Sequence, residues 1–177
     1  QNKEALDLLL SKAKGIDCQD HQGKTPLIHA MQNGFLYAID KFLEQGVNLH
    51  IKDQQGNNAF HLAVLAKKDS IVEKFVKYDQ EITADKDIQG RLPLYLALEQ
   101  NNQVLIKLLL SESHGGQALI YAISKNNPQI AGALLALQKT LVNFNDTEGR
   151  SVLSIALEQN RAELSKLLLS HGASLAE

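Results

Sequence analysis

Asp20-His21-Gln22-Gly23-Lys24-Thr25-Pro26-Leu27-Ile28-His29-Ala30 matters in this chain because it comes back. It returns as Asp53-Gln54-Gln55-Gly56-Asn57-Asn58-Ala59-Phe60-His61-Leu62-Ala63, 33 residues on, and 34 further as Asp87-Ile88-Gln89-Gly90-Arg91-Leu92-Pro93-Leu94-Tyr95-Leu96-Ala97. Asp146-Thr147-Glu148-Gly149-Arg150-Ser151-Val152-Leu153-Ser154-Ile155-Ala156 repeats the frame. A degenerate copy, Gly115-Gly116-Gln117-Ala118-Leu119-Ile120-Tyr121-Ala122, aligns Gly115 with Gly149, 34 residues later. A fixed period of this length marks a chain of stacked supersecondary units.

Each segment has local chemistry to match. Asp-x-x-Gly makes a tight turn, with glycine free to take a positive φ. Thr25 then caps a helix and Pro26 is tolerated in its first turn. The first helices are expected to end at Gly34, Asn101, Asn126 and Asn160, residues that accept the left-handed conformation. Second helices follow with apolar residues at i, i+3 and i+4: Ile39, Phe42 and Leu43; Ile71, Val72, Phe75 and Val76; Leu105, Ile106, Leu109 and Leu110; Ile130, Leu134 and Leu135; Leu164, Leu168 and Leu169. Pro128 suits the start of one of them, Gly132 permits close packing within it, and Gly46 and Gly172 close two others. Residues 1–15, with Leu6, Leu9 and Leu10, read as a second helix from a preceding repeat.

The period and the D-x-x-G-x-T-P-L-x-x-A frame resemble the ankyrin repeat over nearly the whole chain. That resemblance implies an all-α solenoid of stacked helix-turn-helix units with short β-turn loops. The boundaries it suggests are a partial repeat at 1–19 and repeats at 20–52, 53–86, 87–114, 115–145 and 146–177, all one array. Both ends read as cut rather than capped, so a longer parent protein is expected. Three irregularities interrupt the frame. Lys67-Lys68-Asp69 replaces a helix-closing glycine, and Tyr78-Asp79-Gln80-Glu81 replaces a Gly-Ala return loop. From Gly90 to Gly115 is only 25 residues, so one turn is expected to be missing near Ser111–Gly116, either as a functional notch or as simple drift.

Composition excludes several classes of function. A formal charge of −2 gives no general attraction to nucleic acid or anionic lipid. The single cysteine, Cys18, can form neither an internal disulfide nor a thiolate cluster. No apolar run approaches the roughly 20 residues that span a bilayer. The six histidines show no metal-ligand spacing, and His61 sits where the resemblance implies a bond to the neighbouring turn. The recurring aspartates are read as turn formers, and Lys67, Lys68, Lys74 and Lys77 as a solvated helix face. Gly115-Gly116 lacks the Gly-Lys-Ser/Thr of a phosphate loop. No enzyme activity and no cofactor are expected.

The resemblance implies instead a protein partner docked along turn tips and first-helix ends, which line a concave surface. The residues expected to carry binding are Lys52, Gln54, Gln55, Asn57, Leu65, Ile88, Gln89, Arg91 and Glu99. Leu65 and Ile88 either face solvent as a small hot spot or tuck against adjacent helices. The other reading is the targeting arm of an enzyme whose catalytic domain lies outside these residues. A cytoplasmic monomer is expected. Fifteen lysines to three arginines, with abundant Asn and Gln, suggest an effector delivered by an intracellular bacterium into host cytoplasm.

Overall fold

The computed structural model describes residues 15–174, so the helix expected within residues 1–15 lies almost wholly outside them. Ten α-helices and two 3-10 segments occur among the described residues, with a single isolated bridge, Asn145–Ser151, and no strand. The chain divides into two compact units, Gln1–Gln89 and Gly90–Glu177.

In the first unit, α1 (Pro26–Gln32) and α2 (Leu36–Glu44) form one pair, α3 (Ala59–Leu65) and α4 (Asp69–Tyr78) the next. A 3-10 segment, Gln80–Ala84, follows α4. Helix α1 packs on α3 as well as on α2. Two turns of helix are too short to persist alone, so stacking supplies their stability. Leu27, Ile28, Met31, Ile39, Phe60 and Phe75 are fully enclosed. Thr25 Oγ1 accepts the Ile28 N–H at 3.3 Å, and Asn58 Oδ1 accepts that of His61 at 2.9 Å.

In the second unit the helices are α5 (Pro93–Glu99), α6 (Gln103–Leu109), α7 (Glu112–Ser124), α8 (Pro128–Leu137), α9 (Val152–Glu158) and α10 (Ala162–Ser170). A 3-10 segment, Lys139–Asn143, joins α8 to the turn before α9. The first helices α5, α7 and α9 pack in succession, and α8 packs on α10. Pro128 begins α8, as expected.

The expected helix closers take positive φ: 69° at Gly34 and 53–55° at Asn101, Asn126 and Asn160. Lys67 does the same at 54°, without the chemistry that eases it. The second-helix stripes are buried with exceptions. Leu43, Val76 and Leu110 are half-buried, and Leu169 is exposed. Gly132 is not at a close contact, since a Cβ there would meet only Leu167 Cδ2 at 3.9 Å.

One alignment needs correction. Gly115 is not a turn glycine: it lies within α7, which crosses the 114/115 repeat boundary. Ser111 Oγ caps α7 by accepting the His114 N–H at 3.2 Å, so the chain passes from α6 into α7 with no turn between. The glycines serve packing instead. A Cβ on Gly115 would lie 3.0 Å from Leu141, and one on Gly116 would lie 2.3 Å from the Phe144 ring.

Candidate functional site

The turn aspartates are consumed by their own turns. Asp20 Oδ1 accepts the N–H groups of Gln22 and Lys24 at 2.8 and 2.9 Å. Asp53 does the same for Gln55 and Asn57, and Asp146 for Glu148 and Arg150. The Lys24 amide bond, followed by the His29 bond, lowers Asp20 to a pKa of about 2. His29 joins its own turn, 2.8 Å from Asp20, while Ile28 takes the buried position.

Successive turns of the first unit are stitched together. The Gln54 N–H donates to Gln22 O at 3.0 Å, and Gln54 Nε2 donates to His21 O at 2.8 Å. Lys52 Nζ reaches Lys86 O at 2.8 Å, while Gln19 Nε2 donates to Lys52 O at 2.9 Å. Of the residues expected to carry binding, Lys52 and Gln54 thus hold neighbouring turns in register. Asn57 is half-buried, its N–H bonded to Asp53. Gln55 and Gln89 are exposed. Leu65 is 40% exposed and Ile88 74%, so both face solvent rather than tucking inward.

In the second unit, Arg91 and Glu99 form an ion pair at 3.3 Å. Arg150 and Glu158 hold equivalent places and pair at 3.5 Å. Tyr121 packs edge-on against Tyr95 with ring centroids 4.7 Å apart, and the Lys125 ammonium lies 5.4 Å above the Tyr121 ring. Tyr121 had no distinguishing signal in the sequence: it looks like any core residue of a helix.

A second cluster also escaped sequence reasoning. His50 Nδ1 lies 2.9 Å from Asp85 Oδ2, and its Nε2 lies 2.9 Å from Asp79 Oδ2. An imidazolium satisfies both, because each ionised carboxylate can only accept. Burial acts to lower the His50 pKa, but the bonds to Asp85 and Asp79 outweigh it and the net shift is upward. Asp85 Oδ2 also accepts from Asn58 Nδ2 at 2.7 Å. The His61 ring spans Asn58 Oδ1 at 2.7 Å and Asp85 O at 3.2 Å. Burial holds His61 below the ordinary imidazole range. Both partners lie in the same repeat as His61, with Asp85 two residues before the next turn begins at Asp87. These residues tie return segments together, and among the described residues no group of three or more His, Cys, Asp or Glu is placed to hold a metal ion.

Cys18 is exposed in a turn. The lysine patch is partly neutralised by the pairing of Lys74 with Asp40, while Lys68 donates to Gln32 O at 3.4 Å. Among the described residues no helix is long and apolar enough to cross a membrane.

A model of three successive ankyrin repeats matches residues 1–87, 33–116, 66–141 and 113–177. The chain belongs to the ankyrin-repeat family. Ankyrin repeats are generally protein–protein interaction modules. The chain is 30% identical to potassium channel AKT2/3 of Arabidopsis thaliana over 174 residues, 94% of this chain and 20% of the channel. It is 27% identical to human transient receptor potential cation channel subfamily A member 1 over 188 residues, 96% of this chain and 16% of that protein. The ankyrin array thus spans a fifth or less of the length of these curated relatives. An ankyrin repeat domain from Acinetobacter baumannii AYE matches with a TM-score of 0.61 at 22% identity, covering 98% of this chain and 94% of that one. That likeness bears on the fold alone.

Proposed function

We propose that this ankyrin array is a non-catalytic module that binds a partner protein through its turn tips and first-helix ends. Ile88 and Leu65 are its apolar anchors in the first unit. The observation that carries this reading is Ile88, 74% exposed on a backbone wedged against Gly56. An apolar side chain on a stiff mount loses little freedom when a partner covers it. Exposed apolar groups rimmed by amides, here Gln55 and Gln89, suit an interface hot spot. Arg91 and Glu99 are proposed as contacts of the second unit's own turn surface.

A photo-crosslinking residue at position 88, compared with one at exposed position 171, tests this directly. Capture of the same discrete protein from 88 but not from 171, suppressed by Leu65→Asp, is the expected result. Equal capture from both positions, or none, overturns the assignment. The bias toward lysine, asparagine and glutamine supports a partner in a host cell, so host and bacterial extracts are compared side by side. A second reading is the targeting arm of a larger enzyme; this chain forms only 20% and 16% of the length of two relatives, both ion channels by name. The full-length coding sequence separates the two.

A further inference from the structure

We propose that the repeat lacking a turn, in the second unit, forms a slot that receives an exposed β-turn of a partner protein with a carboxylate at its tip. This rests on the reading of the array as a protein-binding module but does not depend on Ile88.

The slot follows from how turns stack elsewhere in the chain. A Cβ placed on Gly23 would lie 2.9 Å from Gln54 N, and one on Gly56 would lie 2.6 Å from Ile88 Cβ. Neighbouring turns therefore leave no space. Gly90 has the same kind of backbone, φ 79°, yet its nearest neighbour beyond the local chain would be Tyr121 Cε2, at 3.9 Å. The repeat that should supply the next turn enters α7 directly from Ser111. Helix α7 packs between α5 and α9. A place one turn wide therefore opens beyond Gly90 and Arg91, bounded on the far side by the Asp146–Arg150 turn that leads into α9.

Its floor is stiff and carries an ammonium that no carboxylate among the described residues pairs with. Tyr121 stands edge-on against Tyr95, which is 2% exposed and receives a hydrogen bond from Asn127 Nδ2 at 3.4 Å. Arg91 is paired with Glu99, and Arg150 with Asp146, Glu148 and Glu158. Arg161 Nη2 donates to Ser124 O at 2.9 Å. Lys125 lies over the Tyr121 ring and pairs with no acid among the described residues. A carboxylate is the complement of that ammonium. A turn is the fitting shape because the open place is that of a turn, and turns here offer each other main-chain groups, as Gln54 N–H does to Gln22 O.

The probes are three head-to-tail cyclic hexapeptides that present Asp-Gly, Asn-Gly or Lys-Gly at one turn, titrated into the 15N-labelled chain. The Asp-Gly peptide is expected to give saturable amide shifts at Gly90, Tyr121 and Lys125, leaving Ile88 and His171 unmoved. The Asn-Gly peptide should bind about tenfold more weakly, and Lys125→Glu should transfer the preference to Lys-Gly. Lys125 is exposed, so this variant is expected to keep the native circular dichroism spectrum. Absent shifts, shifts spread over the whole surface, or a preference unchanged by Lys125→Glu would each overturn the proposal. Capture from position 88 without peptide binding removes the slot alone, and peptide binding without capture removes only the Ile88 anchor.

Discussion

Ile88 presses on Gly56 so closely that a methyl group on the glycine would sit 2.6 Å from the isoleucine Cβ and 3.0 Å from its amide nitrogen. Gly56 also holds φ at 75°, in the region that L side chains avoid. Gly56→Ala meets both penalties and is expected to cost about 2–3 kcal/mol. The urea unfolding midpoint measures it, and an unchanged midpoint would mean that these turns do not touch.

Lys67 closes α3 with φ 54°, where the other described repeats use Gly34, Asn101, Asn126 and Asn160. A side chain with no compensating hydrogen-bonding group is strained there. Lys67→Gly is expected to stabilise the chain by about 0.5–1 kcal/mol, although glycine loses more backbone freedom on folding than any other residue. Thermal unfolding at matched ionic strength decides the sign.

Two helical glycines should respond oppositely to the same change. Gly132→Ala places its methyl in ordinary contact, 3.9 Å from Leu167 Cδ2, and is expected to gain about 0.5–1 kcal/mol from helix propensity. Gly116→Ala drives its methyl to 2.3 Å from the Phe144 ring and is expected to lose about 1–3 kcal/mol despite the same propensity gain. Equal shifts in both variants would refute the packing role given to Gly116.

His50 makes stability depend on pH. Its pKa is raised in the folded chain, because the bonds to Asp85 and Asp79 outweigh the burial that acts to lower it. Its contribution is therefore complete below the ordinary value of 6.5 and lost as pH rises through the raised value. The melting temperature of the parent chain, less that of His50→Gln, should be largest on the acid side and shrink toward alkaline pH. A difference that grows with pH would show that the ring is held neutral.

Much of this architecture was legible in the sequence because its signals are local. Asp-x-x-Gly dictates a turn through its own carboxylate, as Asp20 and Asp53 do. Asparagine after a first helix marks a left-handed stop, and the i, i+3, i+4 stripes mark the buried faces. The candidate site was legible only as positions. Its residues could be placed on turns and helix ends by their phase in the repeat, but not sorted by what their side chains reach. Lys52 and Gln54 share that phase with exposed Gln55, yet they bond the neighbouring turns.

Sequence alone thus determined the repeating unit, its turns, its helix stops and its buried faces, because each depends on residues within a few positions of one another. Only the tertiary structure decided the rest. Gly115 has the period of a turn glycine, but the capped start at Ser111 and the close approach of Leu141 and Phe144 make it a packing position inside α7. His50 meets acids 29 and 35 residues away, so no spacing rule could couple them. The exposure of Ile88 likewise depends on how stacked turns meet, and stacking is a property of neighbouring repeats that a single repeat's residues do not encode.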